Sequence, residues 1–140
     1  MIDEQKIEEN YNKFMEYVKA DSRAEQLVAM YEDYGNELMT APASGKSHYH
    51  NTFPGGYLDH VLRVVETTLQ VASMYKKMGG TINFTKEEAV FSALHHDLGK
   101  LGNPGTAPII STKILIGIVN GENFINTIQT FRICRYLTVR

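Results

Sequence analysis

Hydrophobic residues recur at spacings of three and four through the first 100 residues of this 140-residue chain, a pattern typical of amphipathic helices. The first predicted helix spans residues 3–19. Its apolar face consists of Ile7, Tyr11, Phe14 and Val18. A second helix is predicted to be capped by Asp21 or Ser22. Its apolar face consists of Leu27, Met30, Tyr31, Tyr34 and Leu38.

Residues 40–56 separate these helices from the next pair. The segment carries two prolines and three glycines, which predicts a long loop of the kind that is often functional. A third helix is predicted from Tyr57 to Met78 and is stopped by two glycines. Its buried face is predicted to contain Leu58, Val61, Leu62, Val65, Leu69 and Ala72. The capping-box pair Thr85 and Glu88 opens a fourth helix that should end near Leu98–Gly99. These patterns predict an all-α fold for the first 100 residues.

The last 40 residues differ in composition from the rest. Residues 101–140 contain eight isoleucines, whereas residues 1–100 contain three. Within residues 101–140 there is one acidic residue, Glu122, and there are four basic ones. Helical periodicity is lost there, and residues 109–118 would suit β-strands. We therefore divide the chain into a helical domain, 1–104, and an atypical tail, 105–140.

Composition and charge exclude several classes of protein. The net charge is −2, which argues against a dedicated nucleic-acid coat or a polybasic membrane binder, although nucleic-acid binding stays open. The single cysteine, Cys134, excludes an internal disulfide and a multi-cysteine zinc site. The acidic start of the chain is unlike a signal peptide, and no apolar run approaches the roughly 20 residues that cross a bilayer. We expect a cytoplasmic protein that does not bind membranes.

The candidate chemistry lies in the histidines, all five of which fall between positions 48 and 96. His60 lies early in the third helix, and His96 and Asp97 lie at the end of the fourth. Imidazole and carboxylate groups suit a divalent metal ion, and packing of the two helices would bring the three side chains together. Taken singly, a histidine within an apolar helix is more often a satisfied core residue than a metal ligand. Lys100 follows the pair and supplies a cation of the kind that binds phosphate.

Two sequence segments carry a family resemblance. The segments are FPGGYLDHVLRV at 53–64 and ALHHDLGK at 93–100. Together they resemble the paired motifs of HD-domain metal-dependent phosphohydrolases, most closely those of the small HD proteins of tailed bacteriophages. The resemblance covers roughly residues 20–103. It implies an all-α HD-domain bundle in the cytoplasm of a host cell. It also implies that His60, His96 and Asp97 bind one or two divalent metals, and that a small-molecule phosphate or nucleotide is hydrolysed. Asp97 and Lys100 would then be catalytic.

Other polar residues near the motifs are ambiguous. His48 and His50 lie in the loop before the third helix and would either bind substrate phosphate or a second metal, or be solvated loop residues. His95 is expected to pack against a neighbouring helix. Arg23, Lys46 and Arg63 are read as surface charge rather than phosphate ligands.

The chain departs from the family pattern after the doublet. The family's final aspartate ligand is missing, because no Asp follows Asp97 and the only later carboxylate side chain is that of Glu122. Back-translation of residues 105–140, read two bases out of frame, permits a peptide with WHRK and VPDR segments that resembles the expected family continuation and restores the late aspartate. One hypothesis is a frameshift near Gly105, and the other is a genuine divergent tail. The nucleotide sequence of the gene distinguishes them.

Two functions follow as expectations. The first is a metal-dependent phosphohydrolase that acts on a phosphate ester or phosphodiester of nucleotide type. Its metal would be held by His60, His96 and Asp97. The second is a non-catalytic module that binds a metal, a nucleotide or a partner protein, which the missing aspartate favours. His and Asp ligands suit Mn, Fe, Zn, Co or Ni, and Mg less well. The substrate and the oligomeric state are left open.

Overall fold

The described part of the chain is helical, which confirms the predicted all-α class for that part. The structure is a computed structural model that describes residues 3–45 and 49–105. Within those ranges it contains five α-helices, a 3-10 helix and no strand. The helices are α1 (Glu4–Lys19), α2 (Ala24–Glu32), α3 (Gly35–Thr40), α4 (Gly56–Lys77) and α5 (Lys86–His95), followed by the 3-10 helix Leu98–Leu101. Most of the predicted tail, residues 106–140, including the expected strands at 109–118, lies outside the described residues.

Two of the helices begin at side-chain caps. The Asp3 carboxylate accepts a hydrogen bond from the backbone N–H of Lys6 at 2.8 Å, which starts α1. The predicted capping box is confirmed at α5, where Thr85 and Glu88 each accept a hydrogen bond from the other's backbone N–H. Both devices satisfy amide groups that the first helical turn leaves without partners.

The second predicted helix was wrong in two respects. It is divided into α2 and α3 by a turn at 33–34, and α2 begins after Arg23 with no side-chain cap. Asp21 instead accepts bonds from both the backbone and the guanidinium of Arg23. The division keeps the predicted apolar face, because Tyr34 and Leu38 are still buried on either side of the turn.

Helix α4 forms the centre of the bundle and packs against α1, α3 and α5. Its first half is buried as predicted. The buried side chains on this half are Tyr57, Leu58, Val61, Leu62 and Val65. Its second half is more exposed than predicted, since Leu69 and Ala72 are only partly buried. Four large apolar side chains at this end of the helix and just beyond it are more than 50% exposed: Val71, Met74, Tyr75 and Met78.

Two non-helical segments pack at the end of the bundle where α4 starts. The loop before α4 closes on itself, with a hydrogen bond from Ala43 N–H to Asn51 C=O at 2.9 Å and one from Tyr57 N–H to Ala41 C=O at 3.0 Å. After α5, the Gly102 carbonyl accepts a bond from the Tyr34 hydroxyl at 3.3 Å. These contacts fix the backbone on both sides of the histidine and aspartate residues.

Helix α5 ends at His95, a turn earlier than the predicted end near Leu98–Gly99. His96 and Asp97 form a turn, and the chain then enters the 3-10 helix. The turn directs both Leu98 and Leu101 into the core, where their side chains are buried. Burial of these two leucines stabilises the 3-10 helix that follows the His96–Asp97 pair.

In the part of the chain that the structure describes, none of the helices combines the length and the apolar character needed to cross a bilayer.

Candidate metal centre

His60, His96 and Asp97 converge at one point of the bundle, as the sequence predicted. His60 projects from the second turn of α4, and the other two come from the turn that follows α5. Because α4 and α5 pack against each other, residues 36 positions apart become neighbours. One ligand atom from each residue lies within 4.8 Å of the others, so the group could hold a metal ion.

The three ligand atoms form a nearly equilateral triangle. His60 Nε2 lies 3.2 Å from His96 Nε2 and 3.2 Å from Asp97 Oδ2, and His96 Nε2 lies 3.3 Å from the same oxygen. Bonds of about 2.1 Å place the ligand atoms of a tetrahedral ion about 3.4 Å apart and those of an octahedral ion about 3.0 Å apart. The observed spacing falls between these values, so the donor set fits a first-row divalent ion. One face of the triangle remains for further ligands.

The tautomer of neutral His96 is fixed by its backbone. Its Nδ1 lies 2.7 Å from the carbonyl oxygen of Ala93, an atom that can only accept. Nδ1 therefore carries the proton, and Nε2 presents a lone pair to the other two ligand atoms. Metal-binding histidines in proteins commonly have this arrangement, in which the second ring nitrogen donates to a carbonyl.

Asp97 is ionised at neutral pH despite its partial burial. Burial opposes ionisation, but hydrogen bonds from His60 and Lys100 and the nearby positive charges outweigh it and lower the pKa of Asp97 to about 2. The Lys100 amine donates to Asp97 Oδ2, the same oxygen that faces the histidines. Lys100 thus contacts the Asp97 carboxylate in this structure. Its predicted contact with substrate phosphate stays a prediction.

The loop before α4 brings His50 to the edge of the cluster. The ring centres of His50 and His60 are 4.9 Å apart. The loop is anchored by the Asn51 side-chain amide, which donates to the Gly56 carbonyl at 3.2 Å and to Asp59 Oδ2 at 2.7 Å. Asp59 also pairs with Arg63 one turn further along α4. His50 is therefore next to the cluster. This position is the one that binding of substrate phosphate or a second metal would require.

The other candidates from the sequence fall outside the cluster. His95 is buried against Phe91 and Tyr31, as expected, and burial lowers its pKa against the opposing effect of a bond to the Phe91 carbonyl. Arg23 lies over the Phe91 ring at 4.0 Å and pairs with Asp21, so it is a structural cation. His48 and Lys46 lie outside the described residues.

Sequence reasoning missed Tyr57 and Asp59. Tyr57 is fully buried, its hydroxyl has no hydrogen-bond partner among the described residues, and burial together with the Asp97 charge raises its pKa far above the ordinary value. Asp59 is the anchor that holds the histidine loop on α4. Both residues lie in the FPGGYLDHVLRV segment, Tyr57 three positions and Asp59 one position before His60. The signal that could have identified them is a polar group in the first turn of the predicted helix, next to a candidate ligand.

The described residues contribute three candidate metal-ligand atoms to this cluster, two from histidines and one from a carboxylate, and no second carboxylate among them joins the group. Comparison of the chain with known proteins found no matching family model, no matching curated protein and no matching solved structure.

Proposed function

We propose that this chain is a metal-dependent phosphohydrolase with an HD-domain helical bundle, acting on a phosphate ester or phosphodiester. The observation that carries the proposal is the convergence of His60, His96 and Asp97 from two packed helices, with the lone pair of His96 Nε2 turned inwards. In the metal-free chain a proton on His60 Nε2 and the Lys100 amine satisfy the Asp97 carboxylate, and a bound cation would take the place of that proton between the three atoms. The resemblance of the two sequence segments to HD-domain motifs implies the same three residues as metal ligands.

The chemistry of the donor set indicates the kind of ion. Two imidazole nitrogens and one carboxylate oxygen suit Mn, Fe, Zn, Co or Ni, and Mg less well. Such an ion supplies positive charge that polarises a phosphoryl oxygen and makes water more acidic. The three side chains are between 19% and 36% exposed, so solvent and an anionic substrate can reach the site.

Residues of the chain around the cluster have separate tasks in this proposal. Asp97 remains a carboxylate at neutral pH and therefore acts as a ligand rather than as a proton donor. Lys100 holds one oxygen of that carboxylate and adds positive charge beside the place where phosphate charge develops. His50 and Arg63 line the approach to His60, and the guanidinium of Arg63 adds positive charge there.

A second candidate function is a non-catalytic module that binds a metal or nucleotide through the same cluster. The observation that favours it is the set of three ligands among the described residues, where the HD pattern has a further aspartate. Metal binding without turnover would distinguish this module from an enzyme.

The experiment compares metal content and hydrolysis in the purified full chain. The metal-loaded protein is tested for turnover of bis(p-nitrophenyl) phosphate and p-nitrophenyl phosphate, with each of the candidate metals added in turn. We expect turnover that depends on the metal, and loss of both metal and turnover in His96→Ala and Asp97→Ala. Loss of a direct ligand should exceed the 10–100-fold cost of removing an outer partner, so affinity should fall by at least about 100-fold.

His50→Ala is the matched control, because this histidine lies beside the cluster without contributing to the three ligand atoms. It should retain metal and helicity. Stoichiometric metal in both His96→Ala and Asp97→Ala would refute the metal site. Metal binding without any turnover would instead establish the non-catalytic module.

A further inference from the structure

A cleft of about 870 Å³ begins at the candidate metal centre and extends along α4. His50 and His60 line one end, and Tyr75 lines the other. The interval from His60 to Tyr75 corresponds to about 22 Å of helix at 1.5 Å per residue. The opposite wall is the segment 81–84 that precedes α5. The cleft is therefore much longer than a phosphate group.

The chemistry of the lining changes along the length of the cleft. The end at the metal centre carries the two histidines and Arg63, and the middle carries the hydroxyl groups of Thr67 and Thr68. The far end is mostly apolar and aromatic. Its apolar side chains are Val71, Tyr75, Ile82 and Phe84, and the polar Thr81 and Asn83 belong to the same wall as Ile82 and Phe84. None of the described residues that line the cleft is a carboxylate. The nearest carboxylates are those of Asp97 and Asp59, which contact the lining residues His60 and Arg63 at the metal-centre end.

We propose that this cleft binds the organic group of the substrate, and that this group is elongated and largely aromatic or apolar. The inference rests on the proposed function, since it assumes that the phosphate lies at the metal centre. His60 belongs both to the cluster and to the cleft, so a phosphate held there directs the rest of its ester along α4.

The exposure of the far end supports an apolar occupant. Val71, Tyr75 and Phe84 are 53%, 52% and 49% exposed, which is high for three large apolar side chains that share one concave surface. Concave, mostly apolar surfaces with a few polar groups at one end are the usual form of small-molecule sites. The phenol and phenyl rings of Tyr75 and Phe84 would pack against a flat ring system.

The test measures binding of non-hydrolysable phosphonates to the metal-loaded full chain by isothermal titration calorimetry. Biphenyl-4-ylphosphonate carries the anionic group and a long ring system, methylphosphonate carries the anionic group alone, and biphenyl-4-ol carries the rings alone. We expect biphenyl-4-ylphosphonate to bind at least about tenfold more tightly than methylphosphonate, because burial of its rings adds apolar contact.

Val71→Asp places a carboxylate in the far end of the cleft and should remove that difference in affinity. Met74→Asp is the matched control, since Met74 lies on the same helix and is 57% exposed but does not line the cleft. Phe84→Ser tests the opposite wall and keeps the inference falsifiable if Val71→Asp does not fold. Methylphosphonate should bind all three folded variants as it binds the parent chain.

The outcomes separate this inference from the proposed function. Equal affinity for the two phosphonates, with both lost in His96→Ala, would overturn the cleft assignment and leave the metal centre intact. Binding of biphenyl-4-ol without binding of either phosphonate would overturn both. If no ring-bearing probe binds and sedimentation shows self-association that Val71→Asp abolishes, a second copy covers the surface and the inference is wrong.

Discussion

The Nδ1 atom of His96 lies 2.7 Å from the carbonyl oxygen of Ala93, three residues earlier in the chain. This contact ties the ring to the last turn of α5 and sets which nitrogen carries the proton. The ring cannot turn over without losing the bond, so Nε2 stays directed at His60 and Asp97. The backbone of α5 thereby orients a side chain of the group that could hold a metal ion.

Nuclear magnetic resonance of the ring nitrogens should detect this orientation. In the metal-free chain at a pH where His96 is neutral, we expect the Nδ1-protonated tautomer for His96. Added Zn²⁺ should shift the Nε2 signals of His60 and His96. His95 is the internal control, because its Nδ1 has an equivalent bond to the Phe91 carbonyl at 2.7 Å and its ring is buried away from the cluster. A Zn²⁺ shift at His95, or none at His96, would contradict the assignment.

Replacement of Lys100 by methionine should separate metal binding from turnover. The change removes a positive charge beside Asp97 but leaves all three ligand atoms in place. We expect metal content to be retained and kcat to fall by about 100-fold, the cost typical of losing one group that stabilises developing charge. Metal content and steady-state kinetics measure the two effects. A variant that loses its metal would show that Lys100 serves only to position Asp97.

The sequence predicted which segments are helical and which residues form the cluster. It predicted less well where the helices break and how the segments pack. The capping box at Thr85 and the first half of the apolar stripe of α4 are local patterns, and both were found as predicted. The division between α2 and α3 was missed because the two-residue turn at 33–34 keeps the same side chains on the buried face. Hydrophobic periodicity alone does not distinguish one continuous helix from two short ones that share a face.

The cluster itself was predicted in residues but not in orientation. Convergence of His60 with the His96–Asp97 pair was expected from packing of the two predicted helices and from the family resemblance, and the three side chains do lie together. The 3-10 helix after α5, by contrast, is stabilised by burial of Leu98 and Leu101 against residues far away in the chain. The cleft beside the site depends on the placement of the non-helical segment 81–84 against α4. These features arise from tertiary packing, which a local pattern does not encode.

Two buried tyrosines should respond in opposite directions to loss of their hydroxyl groups. The Tyr34 hydroxyl donates to the Gly102 carbonyl at 3.3 Å, whereas the Tyr57 hydroxyl has no hydrogen-bond partner among the described residues. We expect Tyr34→Phe to lower the free energy of unfolding by about 1 kcal/mol, and Tyr57→Phe to leave it unchanged or raise it. Urea denaturation of the two variants measures this difference. Equal destabilisation by both changes would indicate that Tyr57 also has a polar partner.

Acid should weaken the contact between the α1–α2 turn and α5 through Asp21. Side-chain hydrogen bonds from Arg23 lower the pKa of Asp21 below its ordinary 3.8, against the opposing effect of burial. A lowered folded-state pKa means that the stabilisation is present above pH 3.8 and is lost as the pH falls towards the folded value. Asp21→Asn should therefore reduce stability by about 1 kcal/mol at pH 7 and by progressively less below pH 3.8. Urea denaturation across pH measures this, with the exposed Glu8→Gln as control, and a difference that persists at the lowest pH would contradict it.

Substitution of Gly56 should disturb the loop that carries His50. A Cβ added at Gly56 would lie 2.2 Å from the backbone carbonyl oxygen of Asn51, so the loop must move away from the start of α4. We expect Gly56→Ala to cost about 1–3 kcal/mol of stability, as overpacking does, and to weaken the Asn51–Asp59 bond that anchors the loop. Gly35→Ala is the matched control, because a Cβ there meets nothing within 4 Å and alanine favours the helix by up to about 1 kcal/mol. Thermal unfolding measures both effects, and a Gly56→Ala protein as stable as the Gly35→Ala protein would show that the loop is not held against α4 in solution.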